Sequence, residues 1–312
     1  MLRALFFIDS LNMQPSNKFN TIAFVVAGAG ISTFAGMDVV MKGLSLSLGA
    51  YNAMFWRSII SVSLAALLYL WWRPAWPTVD VIRLHLWRGF IISIMAFLFF
   101  WGLKYLPVAE AIGLSFIAPL IALYLAVVIL KEDIGKHAII ASLIGLLGAV
   151  IIVFGRLSGE YDEEMGKGIA AILLSAVMYA YNIILQRQQA LVAGPVEIAF
   201  FQNSTIIVLF ASLSPFFAVV PTIDYVPMLA AAAVLGLVSS LMMSWAYARA
   251  PANMLIPVEY TAFGWAALFG WFVFGETVTL TTILGTTLIV AGCLVTAWQK
   301  PEHVDHIEST AV

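Results

Sequence analysis

The chain has 312 residues, of which 62% are hydrophobic and 10% charged, where a water-soluble chain carries about 45–50% and about 25%. No soluble fold can bury that much apolar surface. A net charge of −2 without a basic run leaves no electrostatic footprint for nucleic acid, and the single cysteine, Cys293, rules out an internal disulfide or a thiolate metal cluster.

Residues 1–19 begin with a short apolar stretch interrupted by Asp9 and Asn12, and lack a small-residue cleavage site. They read either as an interfacial segment on the cytoplasmic side or as the product of a start upstream of an initiator at Met13, the second being preferred. From residue 20 the chain divides into pieces of the roughly 20 apolar residues that cross a hydrocarbon core. The first five are 20–41, 50–70, 86–103, 107–130 and 137–155. A polar connector, 156–167, separates them from 168–186, 195–219, 226–248, 252–274 and 278–298, and a polar tail, 299–312, ends the chain. Segment 139–153 is apolar throughout, not alternating with period two, so the spans are helices and not barrel strands. The expected fold is an all-α integral membrane protein of about ten helices. The four histidines fall in loops, at a helix start or in the tail, where His85, His137, His303 and His306 are expected to be interfacial or solvated and not metal ligands. No cofactor is expected.

Short loops that carry Lys and Arg tend to stay in the cytoplasm. With the N-terminus inside, the inner segments hold Arg3, Lys18, Arg73, Arg83, Arg88, Lys131, Lys136, Arg187, Arg249 and Lys300, and the outer ones only Lys42, Lys104, Arg156 and Lys167. Both termini are therefore expected in the cytoplasm, in keeping with an even number of spans.

The chain also matches itself at an offset of 144. Trp101 then meets Trp245, Pro107 meets Pro251, Ala118 meets Ala262, Glu132 meets Glu276 and Gly148 meets Gly292, while Asp38 falls on Asn182 and Lys42 on Gln186. Each half (20–155 and 168–298) has five spans, an odd number, so the halves sit in opposite orientations. Inverted repeats of this kind place a solute site near the midplane, between the halves.

The stretch from Trp101 through Pro107, Glu110, Phe116 and Pro119 to Glu132, and its second copy from Trp245 through Pro251 to Phe274 and Glu276, resemble the EamA-type branch of the drug/metabolite transporter superfamily. The resemblance covers residues 20–298. It implies a ten-helix carrier that exports or takes up metabolites such as amino acids, nucleoside-like compounds, riboflavin or S-adenosylmethionine, by proton coupling or solute exchange across a bacterial inner membrane. The sequence around Glu110 is similar to that of the S-adenosylmethionine-uptake group. Met254 stands at the matching position of the second copy, so the halves are not functionally equivalent. The Glu that closes each copy is read as part of the fold.

A charge at the centre of a membrane helix costs roughly 2.5–3.5 kcal/mol on insertion scales, so it needs a partner or a wet cavity. Asp38, Arg57, Glu110 and Glu259 are such charges, and Glu197 is read as interfacial. Asp38 and Lys42 lie four residues apart on one helix face, as an end-of-helix ion pair or a coupling pair. Ser175, Tyr179, Asn182 and Gln186 form a polar stripe on the sixth span, as interhelical contacts or as a cavity wall. Glu259 and Tyr260 follow Pro257, which frees backbone groups beside the acid. Glu259 is the expected principal acidic group, binding a cationic part of the solute or carrying a proton. Trp101, Phe116, Trp245, Tyr260 and Trp265 are candidate aromatic walls. Glycines in the fifth and tenth spans, Gly148, Gly155 and Gly285 among them, suit close helix packing or a dimer face, so a monomer or a homodimer is expected.

Two other classes are weighed. A membrane enzyme would need a nucleophile with its base or a metal cluster, and a channel would need filter loops or rings of like residues; the sequence offers neither. The partners implied are a small organic solute and membrane lipid.

Overall fold

The structure, a computed structural model, describes residues 17–72, 76–118, 121–122, 125, 136–157, 163–250, 255 and 258–297. These residues form ten α-helices and one 3-10 turn, with no strand among them. In chain order they are α1 (Asn17–Leu48), α2 (Ala50–Trp72), α3 (Val79–Gly102), α4 (Val108–Ser115), α5 (Lys136–Leu157), α6 (Glu163–Val192), α7 (Pro195–Phe217), α8 (Val226–Arg249), α9 (Thr261–Phe274) and α10 (Leu280–Ala297). Among the described residues six helical stretches are long and apolar enough to cross a membrane: Ile22–Leu48, Ala50–Trp72, Val79–Gly102, Glu163–Val192, Pro195–Phe217 and Ile223–Arg249. In hydrocarbon every backbone N–H and C=O must be satisfied within the chain, which is why apolar runs of this length become helices. Leu67, Phe154, Val208 and Phe272 stand exposed around the outside; such a belt would aggregate in water and suits an apolar surround.

Several helices are longer than the hydropathy of the sequence predicts. α1 runs seven residues past the expected end at 41, α3 starts seven residues before 86, and α6 extends beyond 168–186 at both ends. In each case charged residues that read as loop lie inside the helix. The described part of the expected 107–130 span is α4 with helical residues at 117–118, 121–122 and 125; Glu132, Pro119, Pro251, Met254 and Pro257 lie outside the described residues, as do 1–16 and the tail.

Exchange of the halves maps the packing onto itself. α1 packs on α8 as α6 packs on α3, α2 on α8 as α7 on α3, and α1 on α9 as α6 on α4, while α2–α7, α4–α9 and α5–α10 pair each helix with its own counterpart. In the last pair Gly155 faces Thr281, and Gly148 faces Gly285 and Ile289, so the two helices run antiparallel at close approach. These glycines are used inside the chain, which leaves them unavailable as a dimer face.

Two basic side chains that are not themselves equivalent at the offset of 144 reach matching carbonyls of the two halves. Lys42 donates to the carbonyl of Leu106, just before Pro107 (2.6 Å). Arg187 of α6 donates to the carbonyls of Tyr247 (2.6 Å) and Ala250 (3.4 Å), just before Pro251. Leu106 and Ala250 are themselves equivalent at the offset of 144. Lys42 is also paired with Glu276. Gly275, with φ of +66°, ends α9 in the left-handed conformation that glycine adopts freely. The backbone N–H of Glu276 then bonds back to Gly270 (3.2 Å), which brings the carboxylate under the helix end, where it also accepts from the N–H of Val108 (2.8 Å). Glu276 thus ties α1, α4 and α9 together. The expected Asp38–Lys42 pair does not form, because Lys42 points away toward this junction.

Candidate functional site: a central cavity

A cavity of about 240 Å³ lies between the halves, near the middle of the long helices. Its apolar wall includes Ile31, Phe34, Ile92, Met95, Phe99 and Phe116, and its polar wall is contributed by α1, α2, α3, α4, α6, α7, α8 and the turn before α9. Period 3.6 places Ser175, Tyr179, Asn182 and Gln186 on one face of α6, and all four line it. The Ser175 hydroxyl donates to the Met95 carbonyl (2.8 Å), so the stripe both joins helices and faces the cavity.

Four charged groups share this space: Asp38, Arg57, Arg88 and Glu259, each with less than a tenth of its surface exposed. Two of them are well supplied with partners. Arg88 donates from Nε to Asn182 (2.9 Å), from Nη2 to Gln186 (3.2 Å) and from Nη1 to Gln189. Glu259 accepts from the hydroxyls of Tyr179 (3.3 Å) and Tyr247. The other two face each other across α1 and α2 and interact through their charges. Oδ1 of Asp38 and Nε of Arg57 are buried without a hydrogen-bond partner, and Nη1 of Arg57 meets only the thioether of Met37 (3.1 Å). Gln202 Oε1, also in the wall, is likewise unpartnered.

Arg88 was not legible as a site residue, since the hydropathy of the sequence puts it two residues inside a span and counts it with the loop charges. It lies in the tenth position of a helix that begins at Val79. The signal was Thr78 followed by Asp80, a helix-start pattern after Pro77. His85, expected in a loop, is fully buried in the same helix. Its Nε2 lies 3.0 Å from Glu197, its Nδ1 meets Gln189, and its ring stacks on Phe201 at 4.7 Å. Gln189 therefore links this pair to Arg88.

Other expected residues fall elsewhere. Glu110 is buried against α10, within 3.3 Å of Thr282, outside the cavity. Trp101 sits in the last turn of α3 against Tyr105, Trp245 lies under Arg249, and Trp265 stacks on Phe269 toward the exterior. Tyr260 does not line the cavity and packs edge-on against Phe116 (5.1 Å), which does. Among the described residues no cluster of His, Cys, Asp and Glu could hold a metal.

A multi-pass helical bundle built from two exchanged halves around a central cavity that holds four buried charges is the architecture of a carrier. The EamA-like transporter family matches residues 20–154 and again residues 166–298, and the chain belongs to that family. It is similar to the pseudopaline exporter CntI of Pseudomonas aeruginosa (strain UCBPP-PA14), 27% identical over 84% of this chain and 91% of that one. It is also similar to the S-adenosylmethionine uptake transporter of Rickettsia bellii, 21% identical over 82% and 87%. A crystal structure 20% identical in sequence shares the fold at a TM-score of 0.60, covering 90% of this chain and 97% of the other. The protein is a transporter of the drug/metabolite type for small metabolites.

Proposed function

We propose that the chain is a secondary carrier of the bacterial inner membrane that binds its solute in the central cavity and exposes it alternately to the two sides. The observation that carries this reading is the central cavity, whose four buried charges sit between halves that exchange onto one another. The contacts of Lys42 and Arg187 support the alternation, because each fastens a helix to the matching carbonyl before a proline in one half. One relative is named for export and another for uptake, so the names leave direction open.

Glu259 serves as the acidic group through which the site responds to loading. Tyr179 and Tyr247, which hold it, come from α6 and α8, so movement of either helix changes its surroundings. In proteoliposomes the wild type should show counterflow: preloaded unlabelled solute accelerates entry of the labelled form, first tried with S-adenosylmethionine and the common amino acids. Glu259→Gln should fold normally and slow that exchange at least about tenfold, the equivalent of roughly 1.4 kcal/mol. Entry that never responds to solute on the other side would remove the carrier reading. A Glu259→Gln chain exchanging at the wild-type rate would remove the role given to that acid.

We place both termini in the cytoplasm. Moving Arg88 and Lys42 into the buried set leaves the excess of basic residues on the same side. A cysteine at position 158, in a Cys293→Ser background, should then react with an impermeant reagent in intact cells. Reaction only after permeabilisation reverses the orientation.

A further inference from the structure

We propose that the cavity takes a zwitterionic solute whose carboxylate is held by Arg57 and whose cationic group is held by Asp38. This rests on the cavity being the transport site, and adds to it the chemical class of the cargo. Four charges line the space, and hydrogen bonding divides them into two kinds. The three guanidinium nitrogens of Arg88 each donate to an amide oxygen, and both carboxylate oxygens of Glu259 accept from tyrosine hydroxyls. These two groups are already satisfied by the protein.

Asp38 and Arg57 are not. Asp38 is 3% exposed with Oδ1 unpartnered, and Arg57 is 9% exposed with Nε unpartnered and Nη1 against a thioether, a weak acceptor. The two compensate each other's charge but lack the hydrogen bonds that buried charged groups need, and a guanidinium presents a planar fork that fits a carboxylate through two parallel bonds. Gly236 of α8 leaves room for that side chain: a Cβ there would lie 3.5 Å from Arg57 Nη1 and 3.0 Å from the Met37 sulfur. Gln202 Oε1 offers a further unpartnered acceptor, suited to an ammonium proton.

A solute with one charge of each sign supplies what both groups lack. A solute with a single charge serves one, leaves the other without its hydrogen bonds and unbalances the pair. Hydrogen bonds to charged groups then set the discrimination at roughly 10- to 100-fold. The apolar wall of Phe34, Phe99 and Phe116 leaves space for an apolar or flat remainder of the solute.

The test measures binding to the purified full-length chain in detergent. The probes are L-methionine, L-phenylalanine and S-adenosylmethionine, with the methyl esters and N-acetyl derivatives of the two amino acids. At least one amino acid should bind, with its ester and its N-acetyl form roughly 10- to 100-fold weaker. Asp38→Asn should remove the preference over the N-acetyl form, and Arg57→Gln the preference over the ester, two opposite changes that general unfolding cannot produce. The double variant Asp38→Asn/Arg57→Gln keeps the charge balance, should remain monodisperse, and should lose zwitterion binding. The proposal is overturned if no zwitterion binds, if singly charged forms bind as tightly, or if the double variant retains wild-type affinity. Counterflow of a singly charged solute alongside any of those results would leave the carrier intact and remove only this assignment.

Discussion

Replacing Lys42 with alanine is expected to cost about 3–5 kcal/mol of stability, the range for removing one partner of a buried ion pair. Side chains of Lys42 and Glu276 are 7% and 16% exposed, so the carboxylate left behind has little access to water. The loss reaches beyond the pair. Lys42 also satisfies the Leu106 carbonyl, and Glu276 accepts from Val108, so the ends of α1 and α9 and the start of α4 loosen together. The thermal midpoint of the purified protein should fall sharply. Lys42→Met combined with Glu276→Gln, which removes both charges and keeps the volumes, should recover most of the fall. An unchanged midpoint in Lys42→Ala would mean that the junction contributes no stability.

Gly285→Ala is the second large effect. A Cβ at that position would lie 2.5 Å from the Gly148 carbonyl oxygen and 2.5 Å from Ile152 Cγ1, and a backbone oxygen cannot rotate away. α5 and α10 would have to separate, at about 1–3 kcal/mol for overpacking, although alanine is intrinsically the better helix former by about 1 kcal/mol. Gly264→Ala provides the contrast, since nothing lies within 4 Å of the added carbon. It should be neutral or slightly stabilising, while Gly285→Ala lowers the thermal midpoint. Equal behaviour of the two would show that the close approach is unimportant.

How much of this was legible in the sequence depends on the kind of residue. A run of apolar residues forces a helix in lipid, so the number and order of helices could be read directly, and matching residues at one offset revealed the repeat. Asp38, Arg57, Glu259 and the α6 stripe stood out because polar groups are expensive inside a membrane. Aromatic walls did not stand out. A lipid-embedded helix is apolar on every face, so Trp101, Trp245 and Trp265 carried no mark of pointing away from the cavity, nor Phe34 and Phe99 of pointing toward it. Lys42 had an acid four residues away and chose one 234 positions distant, which local spacing cannot foresee. His85 was missed because its helix continues through polar residues where hydropathy alone would stop it, and Arg88 because, close to the expected start of that span, it was counted with the loop charges.

The four charges of the cavity also bear on energetics across the membrane. With both acids ionised, Asp38 and Glu259 offset Arg57 and Arg88, and the empty site carries no formal net charge. A cargo of balanced charge preserves that state on loading. Reorientation then moves no net charge of site or solute through the electric field, where each unbalanced elementary charge would exchange about 2.3 kcal/mol per 100 mV with the membrane potential. Solute gradients, and not voltage, would set the direction in which such a carrier runs.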